Sequence, residues 1–181
     1  AAGERGIGTG RACRTDAVDG VPEHPDNRAM TRAAAIVLLP ARHTDQLELA
    51  RLSRDLVEHG LPWRWRPERI AAAIADPDTV VLVARAGREI VGFGVMQYGE
   101  RHAHLALLAV APAWRHRGIG TRLLRWLEET ADVAGLEHVD LELRTSNEAA
   151  RGFYARLGYA TRGEVPGYYE GRESALRMRR S

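Results

Sequence analysis

The sequence predicts an α+β fold, a mixed sheet with helices packed on it, and three observations lead there. Three strand-like stretches follow one another across short turns between Thr79 and Ala111, as an antiparallel meander does. The pattern then changes to helix, strand, helix and strands over the last third of the chain. No internal repeat or low-complexity array interrupts that order.

Taken in order, residues 33–40 form an apolar run flanked by Arg32 and Arg42. It is short for a signal-peptide core and poorly followed by a small-residue cleavage site, so it reads as a buried first strand. Thr44 or Asp45 caps a helix running to about Glu58, along which Leu49, Leu52, Leu56 and Val57 recur. Pro67 opens a second helix, which carries Ile70, Ala71 and Ile74 and ends before Pro77. The meander then comprises strands at 79–85, 89–98 and 102–111. Helical spacing links Ile119, Leu123, Leu124, Leu127, Ala131 and Ala134, and Gly135 ends that helix. Residues 138–145 alternate as a strand through Val139, Leu141 and Leu143. A helix over 147–157 stops at Gly158, and strands at 159–165 and 174–179 complete the chain.

Composition narrows the function. A chain of 181 residues suits one domain, expected over 30–181. Residues 1–29 hold five of the 18 glycines and no apolar periodicity, which predicts a flexible extension before Met30. The glycines at 6, 8 and 10 suggest a phosphate loop, but no strand precedes them and no amphipathic helix follows. Cys13, the lone cysteine, allows no internal disulfide and no Cys-rich zinc site, so no metal is expected and a reducing, cytoplasmic setting follows. With 26 basic and 24 acidic residues the net charge is +2, too small for a dedicated nucleic-acid binder. All the basic residues are arginine, which excludes Schiff-base and P-loop lysine chemistry. No apolar run approaches the ~18 residues of a membrane span.

The sharpest local signal lies where a strand gives way to the long amphipathic helix, at Arg115-His116-Arg117-Gly118-Ile119-Gly120-Thr121. Glycines there let the backbone turn tightly, so that free N–H groups at the helix start point outward and bind phosphate oxygens. No acid occurs from Arg101 to Leu127, while Arg115, Arg117, Arg122 and Arg125 surround the helix start. Ordinary helices favour acids in the first turn. The competing reading is a glycine-rich turn with solvated arginines. The loop is neither a Walker A motif, which needs lysine, nor a dinucleotide fingerprint, since Leu123 stands where a third glycine belongs.

Arg115, Gly118 and Gly120 match the R/Q-x-x-G-x-G/A loop of the GNAT N-acetyltransferases, and the sequence resembles that family over about residues 33–180. Within it, Leu141-Glu142-Leu143-Arg144-Thr145-Ser146-Asn147, Phe153-Tyr154 and Leu157-Gly158-Tyr159 look like the ribosomal-protein alanine N-acetyltransferase branch. Tyr168-Tyr169, the stretch from Gly171 to Met178 and Pro62-Trp63 are similar to that branch too. The resemblance implies a mostly antiparallel sheet of about six to seven strands with helices on both faces. It also implies acetyl-CoA as acetyl donor. Leu108, Ala109 and Val110 would then offer strand backbone to the pantetheine arm. His116, Arg117, Gly118, Ile119, Gly120 and Thr121 would hold the pyrophosphate, and Asn147 would touch the cofactor further along. Glu142 would lie near the amine and Tyr154 near the thioester sulfur.

Acetyl transfer needs a neutral amine, a polarised carbonyl and a proton for the leaving thiolate. Glu142 is the expected base, directly or through water, and Tyr154 the expected acid. Each has a plainer reading: Glu142 as a strand residue that faces solvent or pairs with neighbours of Arg144, Tyr154 as ordinary core. Many family members carry a polar residue where Leu107 stands, which leaves Glu100 and His104 as alternative bases, although His102 and His104 read first as surface strand residues. Tyr168 and Tyr169 are expected to flank the acceptor, with an aromatic turn packed on the sheet as the alternative. The Trp63-Arg64-Trp65-Arg66 stretch reads as an acceptor-side lip or an interface patch. The expected acceptor is a protein N-terminus. The alternatives are a small amine (amino acid, polyamine or antibiotic) and a module that binds acyl-CoA without turnover.

Overall fold

The computed structural model describes residues 35–181. The extension at 1–29, Cys13, Met30 and the first residues of the expected opening strand lie outside that range. The strands are β1 (Ile36–Pro40), β2 (Thr79–Ala86), β3 (Glu89–Tyr98), β4 (His102–Val110), β5 (His138–Arg144), β6 (Ala160–Tyr169) and β7 (Glu173–Arg180). The helices are α1 (Gln46–Leu56), α2 (Pro67–Ala75), α3 (Ile119–Val133) and α4 (Glu148–Arg156). One seven-stranded sheet runs in the order β1-β2-β3-β4-β5-β7-β6. Every neighbouring pair is antiparallel except β4 and β5, which are parallel and joined through α3. The expected mixed, mostly antiparallel sheet is what forms.

Helices cover both faces. One core joins α3 and Tyr154 of α4 to the sheet through Leu123, Leu124, Leu127, Leu141 and Met178. The other joins α1 and α2 to it through Leu49, Ile70, Val83, Phe93 and Leu107. β3 lies between the two layers and is buried from Ile90 to Met96, which explains its unbroken apolar run. Gly94 lets α3 settle onto that strand: a Cβ there would stand 2.8 Å from Leu127 Cδ1.

Two local readings change. Asp45 does not cap α1 with its side chain. Its carboxylate accepts the N–H of Arg42 at 2.8 Å and pairs with Arg85 of β2 at 2.6 Å, closing a 3-10 turn over His43–Asp45. β6 extends to Tyr169 rather than stopping at Val165, with a register break at Pro166-Gly167, so Tyr168 and Tyr169 end a strand.

A bulge in β4 positions the site. Met96 pairs with Leu105 and Val95 with Leu107, leaving Ala106 as the extra residue. Strand side chains alternate, so one extra residue reverses every later side chain. Ala103 and Leu105 accordingly enter the α3 core, whereas Leu107 and Ala109 enter the α1–α2 core.

Candidate active site

β4 and β5 pair only from His102 opposite His138 to Leu105 opposite Leu141. The bulge at Ala106 then separates them and opens a cleft at their C-terminal ends. The Ala111 N–H bonds to Val91 O on β3, so hydrogen-bonded pairs recur at every second residue back along β4. Ala109, opposite Phe93, therefore directs its backbone groups to β3, while Leu108 and Val110 turn theirs to the cleft. Val110 O also accepts from Arg115 Nε at 3.0 Å. Of the three residues expected to offer backbone, Leu108 and Val110 face the cleft and Ala109 is paired to β3.

Beyond β4 the chain passes a 3-10 turn at Pro112–Trp114 and enters the loop before α3. His116 and Gly118 have positive φ of 61° and 75°. Left-handed residues set among right-handed ones turn successive N–H groups to one side, which makes an anion-binding concavity. Gly118 is the N-cap, and the first turn contains no acid. Arg122 N donates to Gly118 O at 3.0 Å, so the N–H groups of Ile119, Gly120 and Thr121 precede the first intrahelical donor and have no acceptor within the helix. A Cβ on Gly120 would sit 3.5 Å from Phe153 and 3.6 Å from Val110, so the loop, the end of β4 and α4 converge. Arg117 stacks over Trp114 with 4.9 Å between guanidinium carbon and ring centre. This donor set, free of acids, fits a pyrophosphate.

The cleft deepens into a cavity of about 310 Å³, walled by β4, β5, residues 57–65 between α1 and α2, and the end of β6. Glu142, Tyr154, Asn147, Leu108, Tyr168 and Tyr169 all line it; the loop at 116–121 does not. Glu142 is far from solvated, with its side chain 11% exposed. Its Oε2 lies 2.6 Å from His104 Nε2 on β4, and its Oε1 accepts from Arg177 Nε on β7 at 3.0 Å. The His104 hydrogen bond, with the Arg177 charge behind it, outweighs burial and holds the Glu142 carboxyl below its ordinary range. It is therefore a carboxylate across the neutral range.

Tyr154 is 8% exposed and packs edge-to-face on Phe153 and Tyr159, with ring centres 5.1 and 5.4 Å away. Burial, with a smaller contribution from Tyr169, pushes its hydroxyl far above the ordinary phenol range. It stays protonated at any physiological pH. Tyr169 is likewise pushed up to about 12, mainly by burial. Asn147 caps α4, its Oδ1 accepting the Ala150 N–H at 3.0 Å, so the amide N–H pair is what it can still offer a ligand.

Of the alternative bases, Glu100 is an exposed turn residue off the cavity wall, and His102 stacks on His138 with ring centres 5.2 Å apart. His104 is different: it stands on the wall and is bonded to Glu142. Sequence reasoning passed over Glu58, which is 7% exposed. Its carboxylate accepts from Ser53 Oγ at 3.1 Å, Arg64 N at 2.7 Å and Trp65 N at 3.2 Å, and so shapes the wall between α1 and α2. Only a buried acid beside a polar turn signals this, and burial is invisible in sequence. Arg64 pairs with Glu170 across the cavity mouth, and Arg144 Nη2 donates to His59 O at 2.6 Å.

A sequence profile described as the acetyltransferase (GNAT) family matches residues 46–159. The chain belongs to the GNAT family. An uncharacterised N-acetyltransferase of Methanocaldococcus jannaschii is 41% identical over 99 residues, which cover 53% of this chain and 62% of the relative. The N-alpha-acetyltransferase RimI of Mycobacterium tuberculosis is 36% identical over 111 residues, covering 58% of this chain and 67% of that one. The matches thus take in about two thirds or less of these relatives' lengths. Among solved structures, the ribosomal-protein-S18-alanine N-acetyltransferase of Escherichia coli superposes with a TM-score of 0.70 at 24% identity, over 80% of this chain and 92% of that chain. At that identity the likeness is one of fold. The GNAT fold is the one found here.

Proposed function

We propose that this chain transfers an acetyl group from acetyl-CoA to a primary amine, the α-amino group of a protein N-terminus. One observation carries the proposal. The cavity where β4 and β5 part holds an ionised carboxylate with its histidine on one wall and a protonated, buried tyrosine on another. Those are the two proton-handling groups that amine acylation requires. Similarity to a RimI N-alpha-acetyltransferase supports the acceptor class.

Bound acetyl-CoA would supply an activated thioester carbonyl. The open backbone groups of Leu108 and the Val110 N–H would orient its pantetheine arm, and the N–H groups of residues 116–121 its pyrophosphate. Asn147 would donate its amide N–H. Removal of the amine proton falls to the Glu142–His104 pair, and Tyr154 supplies a proton to the departing sulfur. Tyr168 and Tyr169 would flank the acceptor. A cytoplasmic setting agrees with this chemistry.

A small amine is the second reading. Arg64–Glu170 and Arg144–His59 bridge the mouth, giving a pocket rather than an open groove. A polyamine is disfavoured, because Glu58, Glu142 and Glu170 are all engaged by donors. The test is thiol release from acetyl-CoA against short N-terminal peptides and small amines in parallel. Peptide preference supports the proposal, and turnover of small amines alone replaces it with the second. Silence in both panels despite donor binding leaves an acyl-CoA-binding module. Where turnover is found, Glu142→Gln and Tyr154→Phe should each lower kcat about 10²–10⁴-fold with donor Kd unchanged.

A further inference from the structure

Glu142 is fastened on two sides. Its Oε2 meets His104 Nε2 at 2.6 Å, and its Oε1 receives Arg177 Nε at 3.0 Å. The three residues sit on adjacent strands, β4, β5 and β7, on one face of the sheet. An ionised carboxylate only accepts hydrogen bonds, so at this contact Nε2 carries a hydrogen, and in the neutral ring the lone pair then sits on Nδ1. The ring lines the cavity and is 35% exposed at its side chain, against 11% for Glu142. Nδ1 has no hydrogen-bond partner among the described residues. The arrangement is that of a carboxylate orienting an imidazole so that its second nitrogen accepts a proton.

We infer that His104, oriented by Glu142, is the proton acceptor for the incoming amine, and that Glu142 is a positioning residue with Arg177 behind it. The inference rests on the acetyl-transfer reading above. In the balanced step, one ammonium proton passes to His104 Nδ1, and the freed lone pair forms the C–N bond to the acetyl carbon. The C–S bond breaks and the thiolate takes the Tyr154 proton. The second proton on the new amide nitrogen restores the phenol, and His104 releases its own to solvent. The charged and titratable groups facing this ring are Glu142 and Asp140 on β5, Arg177 and Arg179 on β7, and His102 on β4. Glu58, Arg64, Tyr168, Tyr169 and Glu170 face it across the cavity. On β3 its register partner is the uncharged Gln97.

His104→Gln separates the two roles, because the glutamine amide can still donate to Glu142 but takes up no proton at neutral pH. The expected result is at least a hundredfold loss in kcat/KM at pH 7, recovering as pH rises and the free amine accumulates. The variant's pH–rate profile should differ from the parent's, its remaining rise following the free amine alone. Activity within threefold of the parent and an unchanged profile would overturn the inference and return the proton to Glu142. Thermal unfolding of the variant checks that it folds. A second readout needs no donor: ¹⁵N NMR of the histidine rings in the parent protein should show His104 protonated at Nε2, with that preference weakened in Glu142→Gln. Protonation at Nδ1 instead would overturn the inference. If the parent acetylates no amine, the acetyl-transfer reading fails, and the tautomer still decides whether the ring is arranged as inferred.

Discussion

The Glu58 carboxylate accepts the backbone N–H of Trp65 at 3.2 Å, seven residues further along, and ties the segment between α1 and α2 into one shape. That segment is a wall of the cavity.

Replacing Glu58 with alanine leaves the Ser53 hydroxyl and the Arg64 and Trp65 N–H groups without their shared acceptor. Hydrogen bonds to a charged group carry about 1.5–3 kcal/mol, so urea unfolding should register a loss of about 2–3 kcal/mol. The acceptor KM should rise severalfold while donor Kd, read by calorimetry, stays put.

Gly118→Ala tests the loop. With φ at +75° and open space around it, the added methyl meets no neighbour, so its cost is backbone strain of about 1–2 kcal/mol. Re-aiming the N–H groups should weaken donor binding about tenfold, or ~1.4 kcal/mol. Gly87→Ala, at φ +62° in the β2–β3 turn, supplies the control: similar strain with donor affinity unchanged.

A buried link ties α3 to the sheet. Glu128, 4% exposed, accepts the Tyr159 hydroxyl at 2.8 Å and pairs with Arg180. Glu128→Ala should cost about 1–2 kcal/mol, since it leaves the buried Tyr159 hydroxyl without its acceptor while Arg180, 41% exposed at its side chain, turns to water. Tyr159→Phe should cost about 1 kcal/mol. Neither should shift the acceptor KM, because none of the three residues lines the cavity.

Acid should destabilise the fold through the β5 carboxylates. The His104 hydrogen bond leads in lowering Glu142. For Asp140 burial alone would raise the value, but two hydrogen bonds from Arg179 and its charge prevail and lower it. A carboxyl depressed in the folded state stabilises it fully above the unfolded value of about 4. That stability is lost as pH falls through the depressed values. Urea midpoints should be flat from pH 7 to about 5 and drop below about 4. Asp140→Asn should lower the neutral plateau and flatten the acid limb.

Much of this was legible in the sequence because periodicity records which face is buried. Leu123, Leu124 and Leu127 mark the α3 stripe, and the stripe is buried as read. The turn before α3 was legible for a related reason: Gly118 and the missing acids are local features, and the backbone there turns left-handed as a glycine allows. Asp45 shows where locality fails, since Arg85, its partner 40 residues away, decides its role.

By itself, the sequence determined the α+β class, the order of strands and helices, and the acid-free helix start, all set by neighbours a few residues apart. Only the tertiary structure decided how the site is assembled. The bulge at Ala106 needs β3 to pair against, and it parts β4 from β5. That pairing of distant strands brings His104 to Glu142 across 38 residues. Burial then separates the two chemical roles: it leaves Tyr154 protonated, while the donors His104 and Arg177 keep Glu142 charged. Burial and long-range electrostatics belong to the folded chain, and no spacing along the sequence encodes them.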